Sequence, residues 1–302
     1  MKSKQHSKVI MPRKLSPYLF LLPAAIMTLV FTLYPIMNIL YYSFFNYNPL
    51  RTAQNGFIGL GNYVELLTKD KVFWNALGVS LKWVFLTTSG QFVIGFVLAL
   101  VLNTRFRGRG IARAALFAPW ALSGVIIAIL WSLIYNQNIG VLNDLLIKLG
   151  LGTERIAWVA NPDTAFMAAV VAEIWAGIPF FAISILAQLQ SVPLELYESC
   201  VVDGGGALSK FKHVTFPHVK SSIILNYLIR CVWEFNAVDL ILNLTNGGPV
   251  RRTTTLGIYL TSQAIKSKNF GYGSAIGVIT FLGLLVFSMV YLKCSRYEEI
   301  EE

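Results

Sequence analysis

Charge is scarce in this chain. Of its 302 residues only 13% are Asp, Glu, Lys or Arg, against 55% hydrophobic. Soluble domains carry about 25% charged residues, so this composition excludes a surface covered by water and requires lipid around it. The mean hydropathy of +0.60 agrees. Cysteine is scarcer still. Cys200, Cys231 and Cys294 are scattered, without disulfide or metal spacing, and read as small apolar packing residues. No His-Glu-x-x-His and no Gly-x-Ser-x-Gly occurs, which removes the simplest metalloprotease and hydrolase readings. Gly204-Gly-Gly-Ala-Leu-Ser209-Lys210 has only the outline of a phosphate loop. It lacks glycine before Lys210, and Phe211 stands where Ser or Thr must hold magnesium. Gly271-Tyr-Gly273-Ser-Ala-Ile-Gly277 misses the dinucleotide spacing. The sequence thus predicts no metal, no cofactor and no ATP site of its own.

What it has instead is long apolar runs. A bilayer crossing needs about 20 such residues, and six runs qualify, at residues 17–45, 76–103, 114–135, 164–190, 221–245 and 274–294. They are continuous rather than alternating, which predicts helices and not a barrel. The expectation is one all-α membrane domain over residues 1–302, with six transmembrane helices. The first run is too long for a secretory signal core and offers no small-residue cleavage site, so it reads as a retained helix. Short connecting elements include an amphipathic stretch from Gly140 to Gly150 and the Asn246-Gly-Gly-Pro249 turn.

The formal charge of +10 raises the question of nucleic acid, but its placement argues for a membrane face. Basic residues gather at Lys2, Lys4, Lys8, Arg13 and Lys14, at Arg105, Arg107, Arg109 and Arg113, and at Lys210, Lys212 and Lys220. The positive-inside rule puts these segments, and both termini, in the cytoplasm. The multi-pass chain is expected in the bacterial inner membrane, with no nucleic-acid partner.

The stretch at residues 191–220 is unusual for a connecting loop. A short helix bearing Glu195 and Glu198 runs to Asp203, Gly204 and Gly205. A second short helix around Phe211 then leads to Pro217. Glycine permits a sharp turn without Cβ clashes, and Asp203 is placed to bond local amides. The second helix is expected to bring Phe211 and two lysines to a docking interface. This pattern resembles the coupling loop of the membrane subunits of ABC importers, Glu-Ala-Ala, three residues, Gly, nine residues, Ile-x-Leu-Pro. Glu198, Gly204, Val214 and Pro217 fall at those spacings, with Ser199-Cys200 replacing the alanines and Val214-Thr-Phe216 replacing Ile-x-Leu. The bland alternative is an amphipathic segment lying on lipid head groups.

Further pieces are similar to the sugar permeases of the maltose-type ABC importers: Pro17-Tyr-Leu-Phe-Leu-Leu-Pro23, Tyr34-Pro35, Phe57-Ile-Gly-Leu-Gly-Asn-Tyr63, Gly108-Arg-Gly110, Trp175-Ala-Gly-Ile-Pro-Phe-Phe181, Leu189-Gln-Ser-Val-Pro-Leu-Glu-Leu-Tyr-Glu198 and Leu244-Thr-Asn-Gly-Gly-Pro249. The resemblance implies the type I ABC importer permease fold and a binding-protein-dependent carbohydrate importer working by alternating access. It also implies a second homologous permease, two ATP-binding subunits that carry ATP and magnesium, and an extracellular solute-binding protein. An anionic sugar derivative, such as a sialic acid or glycerol phosphate, is the alternative solute. An ion-driven secondary carrier is the alternative class; it predicts two related halves, which the sequence does not display, and it leaves the coupling loop idle.

The fifth run holds the candidate solute residues. Ionisable groups inside a membrane normally face a cavity or a partner. Asn226, Arg230 and Glu234 are four apart and share one helix face, with Trp233 and Asn236 beside them. In the resembled family, polar side chains of this helix contact sugar. The competing reading makes Arg230 and Glu234 an i,i+4 pair that staples the bundle.

Overall fold

The computed structural model describes residues 16–295. The chain is mostly helical. Helix α1 (Ser16–Thr28) passes through a π turn (Leu29–Leu33) into α2 (Tyr34–Tyr42). A small hairpin follows, β1 (Phe45–Asn46) antiparallel to β2 (Gly56–Phe57), with Phe45 opposite Phe57. Then come α3 (Gly61–Thr68), α4 (Lys71–Asn103), α5 (Arg109–Phe117), α6 (Gly124–Ile134), α7 (Val141–Lys148), α8 (Ala165–Gln190) and α9 (Leu194–Val202). The rest are α10 (Ala207–Lys210), α11 (Phe216–Phe235), α12 (Asp239–Leu244), α13 (Leu256–Thr261) and α14 (Phe270–Cys294).

Among the described residues, four helices are long and apolar enough to cross a membrane: Phe20–Tyr42, Lys71–Asn103, Ala165–Gln190 and Phe270–Cys294. The third predicted run is not one rod. Its two pieces, Arg109–Ala121 and Gly124–Ile134, meet at 100°, and Ser123 caps the second through Ile126 N. The fifth run is also broken, since α11 stops at Phe235 and α12 starts at Asp239. Lys220, Arg230 and Glu234 lower the apolar character of α11. Of the six expected transmembrane helices, the described residues thus form four as long apolar helices and a fifth as a bent pair.

The centre of the fold is the close packing of α4 on α8, with α11 across both. Small residues permit the approach. A Cβ on Gly95 would lie 2.7 Å from Phe181 Cβ and 3.0 Å from Ala182 N, and one on Gly90 would lie 2.5 Å from Ile174 Cδ1. Phe181 and Ile185 of α8, with Ala99 and Leu102 of α4, fill one buried cluster. Trp83, Ala169, Ala172 and Leu240 belong to another.

Asp70 fixes the start of α4. Its Oδ1 accepts from Val72 N (2.8 Å) and Phe73 N (3.0 Å). Its Oδ2 accepts from Tyr259 Oη (2.5 Å) and Tyr272 Oη (2.6 Å), drawing α13 and α14 to the same point. Partial burial raises the carboxyl's pKa, but these bonds outweigh it and hold the group below its usual value of 3.8.

Two prolines sit just beyond π turns. Proline lacks an N–H, and its ring crowds the carbonyl four residues back. A π turn holds one residue more than an α turn. Before Pro35, Tyr34 N–H reaches Leu29 O; before Pro217, Phe216 N–H reaches Phe211 O. Helix α10 thus flows through its π turn (Phe211–Thr215) into α11. The separate second helix expected in the loop does not exist, because the π turn lets the backbone carry Pro217 without stopping.

Candidate functional site

Two sites stand on this frame, an exposed helix at residues 194–202 and a buried cluster of charge where α4, α8 and α11 meet.

Helix α9 presents Glu195 and Glu198 to the outside. Leu194, Leu196, Val201 and Val202 are exposed too, the last at 86%. Its end is closed by backbone bonds, Gly204 N to Val201 O (2.9 Å) and Gly205 N to Cys200 O (2.8 Å), a Schellman turn. Gly204 has φ +78°, and a Cβ on Gly205 would sit 2.5 Å from Cys200 Sγ and 2.6 Å from Cys200 O. Both glycines are required, one by conformation and one by space. Asp203 does not act as expected. Its backbone N–H bonds to Ser199 O (3.0 Å), while its exposed carboxylate accepts no hydrogen bond among the described residues. Phe211 only partly faces outward. It is half-buried, packed on Phe96 of α4 (ring centroids 6.1 Å) and on Phe216 (6.2 Å). Tyr197 Oη lies 3.1 Å from Thr215 Oγ1, so α9 is tied to the helical rod that follows. Pro217 sits exposed at the start of α11.

In the second site, Arg230 Nη2 donates to Glu234 Oε1 (2.7 Å) and to Glu173 Oε1 (3.3 Å). Its Nε donates to Gln91 Oε1 at 2.7 Å. Gln91 Nε2 donates to Glu234 Oε1 and to the Glu173 carbonyl, both at 2.9 Å. Trp83 Nε1 donates to Glu234 Oε2 at 3.1 Å. The Phe180 ring faces the guanidinium, 5.9 Å from centroid to Cζ. Arg230 is 8% exposed, Glu234 2% and Gln91 0%. A buried pair gives stability only when its remaining donors and acceptors are met, and Glu234 has partners on both oxygens. Gly177 makes room for the cluster, since a Cβ there would run into the Gln91 amide and into Arg230 Nη2.

The cluster forms one wall of a cleft of about 340 Å³. The cleft lies where the two helix breaks abut: a Cβ on Gly124 would be 2.8 Å from Asp239 Cβ. Glu173, Arg230, Asn236 and Asp239 line it, with Pro119 and Trp120 opposite. Of the other candidates on α11, Asn226 is half-buried and stands away from this cleft. Trp233 is half exposed and packs on Phe180 at 5.3 Å. Asn236 reaches back to Val232 O at 2.8 Å.

Sequence reasoning missed Trp83, Gln91 and Gly177 and did not connect Glu173 to Arg230. A signal existed. Trp83, Thr87 and Gln91 are four apart, so they form one hydrogen-bonding stripe on an apolar helix.

A solved bacterial alginate ABC transporter, in complex with alginate pentasaccharide-bound periplasmic protein, contains a chain of the same fold. The TM-score is 0.81 at 23% identity, covering 94% of this chain and 95% of that one. The fold is that of a type I importer permease. The chain belongs to the binding-protein-dependent transport system inner membrane component family, which it matches over residues 91–293. It is 35% identical over 280 residues to the trehalose/maltose transport system permease protein MalF of Thermococcus litoralis, covering 93% of each. It is 33% identical over 286 residues to the sulfoquinovosyl glycerol transport system permease protein SmoG of Agrobacterium fabrum, covering 95% of this chain and 92% of that one.

Proposed function

We propose that this chain is the membrane-spanning permease subunit of an ATP-driven, binding-protein-dependent importer of carbohydrate. It crosses the cell membrane six times, with the third and fifth crossings broken, and keeps both termini in the cytoplasm. The termini themselves lie outside the described residues. Helix α9 docks on a partner ATPase that binds ATP and magnesium, and a second, similar permease completes the pathway. An extracellular binding protein delivers the solute.

The observation that carries this reading is the mechanical continuity of the two sites. Residues 207–235 form one helical rod, about 40 Å long at 1.5 Å per residue. One end carries α9 through the Tyr197–Thr215 contact, and the other carries Arg230 at the cleft. Motion of α9 on a closing ATPase dimer is thereby passed to the cleft wall, which is what alternating access requires. Exposed leucines and valines beside Glu195 and Glu198 suit a protein groove better than lipid head groups. Trp120 and the amide of Asn236 offer what a sugar needs, an apolar face for the ring and polar partners for its hydroxyls.

The test is uptake into proteoliposomes holding this chain, both partner subunit types and the binding protein. Carbohydrate uptake should require ATP and resist a protonophore. Uptake that collapses with the proton gradient and ignores ATP would replace this reading with an ion-driven carrier.

A further inference from the structure

We infer that the cleft between the bent third crossing and the broken fifth selects uncharged solutes, with Asp239 as its charge-selective residue. The inference rests on the transport reading above and narrows it to neutral carbohydrates.

The first argument is the state of Arg230, the one basic side chain among the residues lining the cleft. An arginine recognises a carboxylate, sulfonate or phosphate by presenting a fork of N–H donors. Here Nη2 already serves Glu234 and Glu173, and Nε serves Gln91. The ring of Phe180 faces the guanidinium. The guanidinium's Nε and Nη2 edge is closed by Glu234, which Trp83 and Gln91 also hold, and an anion reaching Nη1 from the cleft would also meet the Glu173 carboxylate that lines it. The charge of Arg230 is cancelled by Glu234 inside the wall before any solute arrives.

The second argument is what remains. Asp239 begins α12, is exposed on the cleft, and forms no ion pair among the described residues. Its backbone carbonyl accepts from Asn243 Nδ2 at 2.7 Å, but its carboxylate accepts nothing within the described chain. The close seat of Gly124 on Asp239 Cβ fixes where this carboxylate enters. An anion in the cleft therefore meets the carboxylates of Asp239 and Glu173 and a guanidinium already paired with Glu234. A neutral sugar meets an acceptor for its hydroxyls. A solved neighbour of this fold imports the acidic polysaccharide alginate, with 24% identity and a TM-score of 0.80. The fold does not dictate charge preference, which leaves it to side chains such as those of the cleft.

The experiment reads the local potential directly, in the full transporter reconstituted in liposomes. Asn236→Cys is placed on the cleft wall, with Cys200, Cys231 and Cys294 replaced by alanine. Its rates with a cationic trimethylammonium-ethyl and an anionic sulfonato-ethyl methanethiosulfonate are compared with those of a free thiol in the same buffer. One unit charge about 6 Å away in a water-like medium separates reagents of opposite sign by about tenfold. The cationic-to-anionic ratio should exceed the free-thiol ratio by about that factor, and Asp239→Asn should bring it back to within about threefold. If neither reagent reaches position 236, the same ratio at Ala237→Cys decides. A ratio equal to or below that of the free thiol, or one unmoved by Asp239→Asn, overturns the inference. So does wild-type uptake of digalacturonate as fast as maltose. If the ratio behaves as expected but no carbohydrate is carried at all, the transport reading fails and the charge assignment stands.

Discussion

Removing Arg230 and removing Glu234 should not be equivalent, although the two form one ion pair. In Arg230→Met, Glu234 and Glu173 both lose their cation within a buried wall, while Gln91 loses the donor to its oxygen. Breaking a buried pair from one side costs about 3–5 kcal/mol. In Glu234→Gln, Arg230 keeps Glu173 at 3.3 Å and Gln91 at 2.7 Å, and the new amide still offers an acceptor. Weakening one charged hydrogen bond costs about 1.5–3 kcal/mol. The difference, about 2 kcal/mol, is a factor of about 30 in the unfolding equilibrium. Thermal denaturation of the purified transporter, followed by tryptophan fluorescence, should rank the variants wild type, Glu234→Gln, Arg230→Met. Trp83, whose indole N–H rests on Glu234, contributes to that signal as one of seven tryptophans. The double change Arg230→Met with Glu234→Leu should recover much of the stability lost in Arg230→Met. Solute uptake then separates a staple from a solute contact: a staple predicts recovered uptake, a contact predicts a stable transporter with poor or altered uptake. Equal destabilisation by both single variants would refute the claim that Glu173 shares the guanidinium.

Other changes test the rest of the frame. Gly177→Val should reduce uptake at least tenfold while the protein still inserts, because its side chain would enter the space held by Gln91 and Arg230; immunoblots of membranes beside uptake rates will check this. Gly205→Val should weaken co-purification of the ATPase far more than Gly204→Ala. The first collides with Cys200, whereas the second has open space and pays only about 1 kcal/mol for its positive φ. Asp70→Ala should cost about 3 kcal/mol by removing a cap and the acceptor of two tyrosines. Because the folded carboxyl lies below its usual value of 3.8, its stabilisation is fully present above that value and is lost as pH falls below it through the lower folded value. Melting temperature should therefore drop more steeply below about pH 4 in wild type than in Asp70→Asn.

The apolar runs at residues 17–45, 76–103, 164–190 and 274–294 are visible in the sequence because they contain little else. The angles of the breaks are not. Ser123, extended and capping α6, is a local stop signal between Ala121 and Gly124, but the 100° angle between the two pieces is not written in it. The pair Arg230–Glu234 is legible from its spacing of four, since such neighbours share a face. Its third member is not, because Glu173 lies 57 residues away along the chain. The glycine turn after α9 is readable, since Gly204 and Gly205 have few other reasons to stand together. The direction of Phe211 is not, because an aromatic residue suits both an exposed groove and the flank of α4.

The π turn at residues 211–215 sets an angle as well as accommodating Pro217. Each residue of an α-helix advances the chain about 1.5 Å and turns it about 100°. The surplus residue in this turn therefore fixes the azimuth at which α9 leaves the rod relative to the direction in which Arg230 points. A one-residue deletion here would leave a regular helix with both ends chemically intact. It would also swing them out of phase by roughly a quarter turn or more. The permease has in this turn a phase setting between its two ends, written in chain length rather than in any side chain.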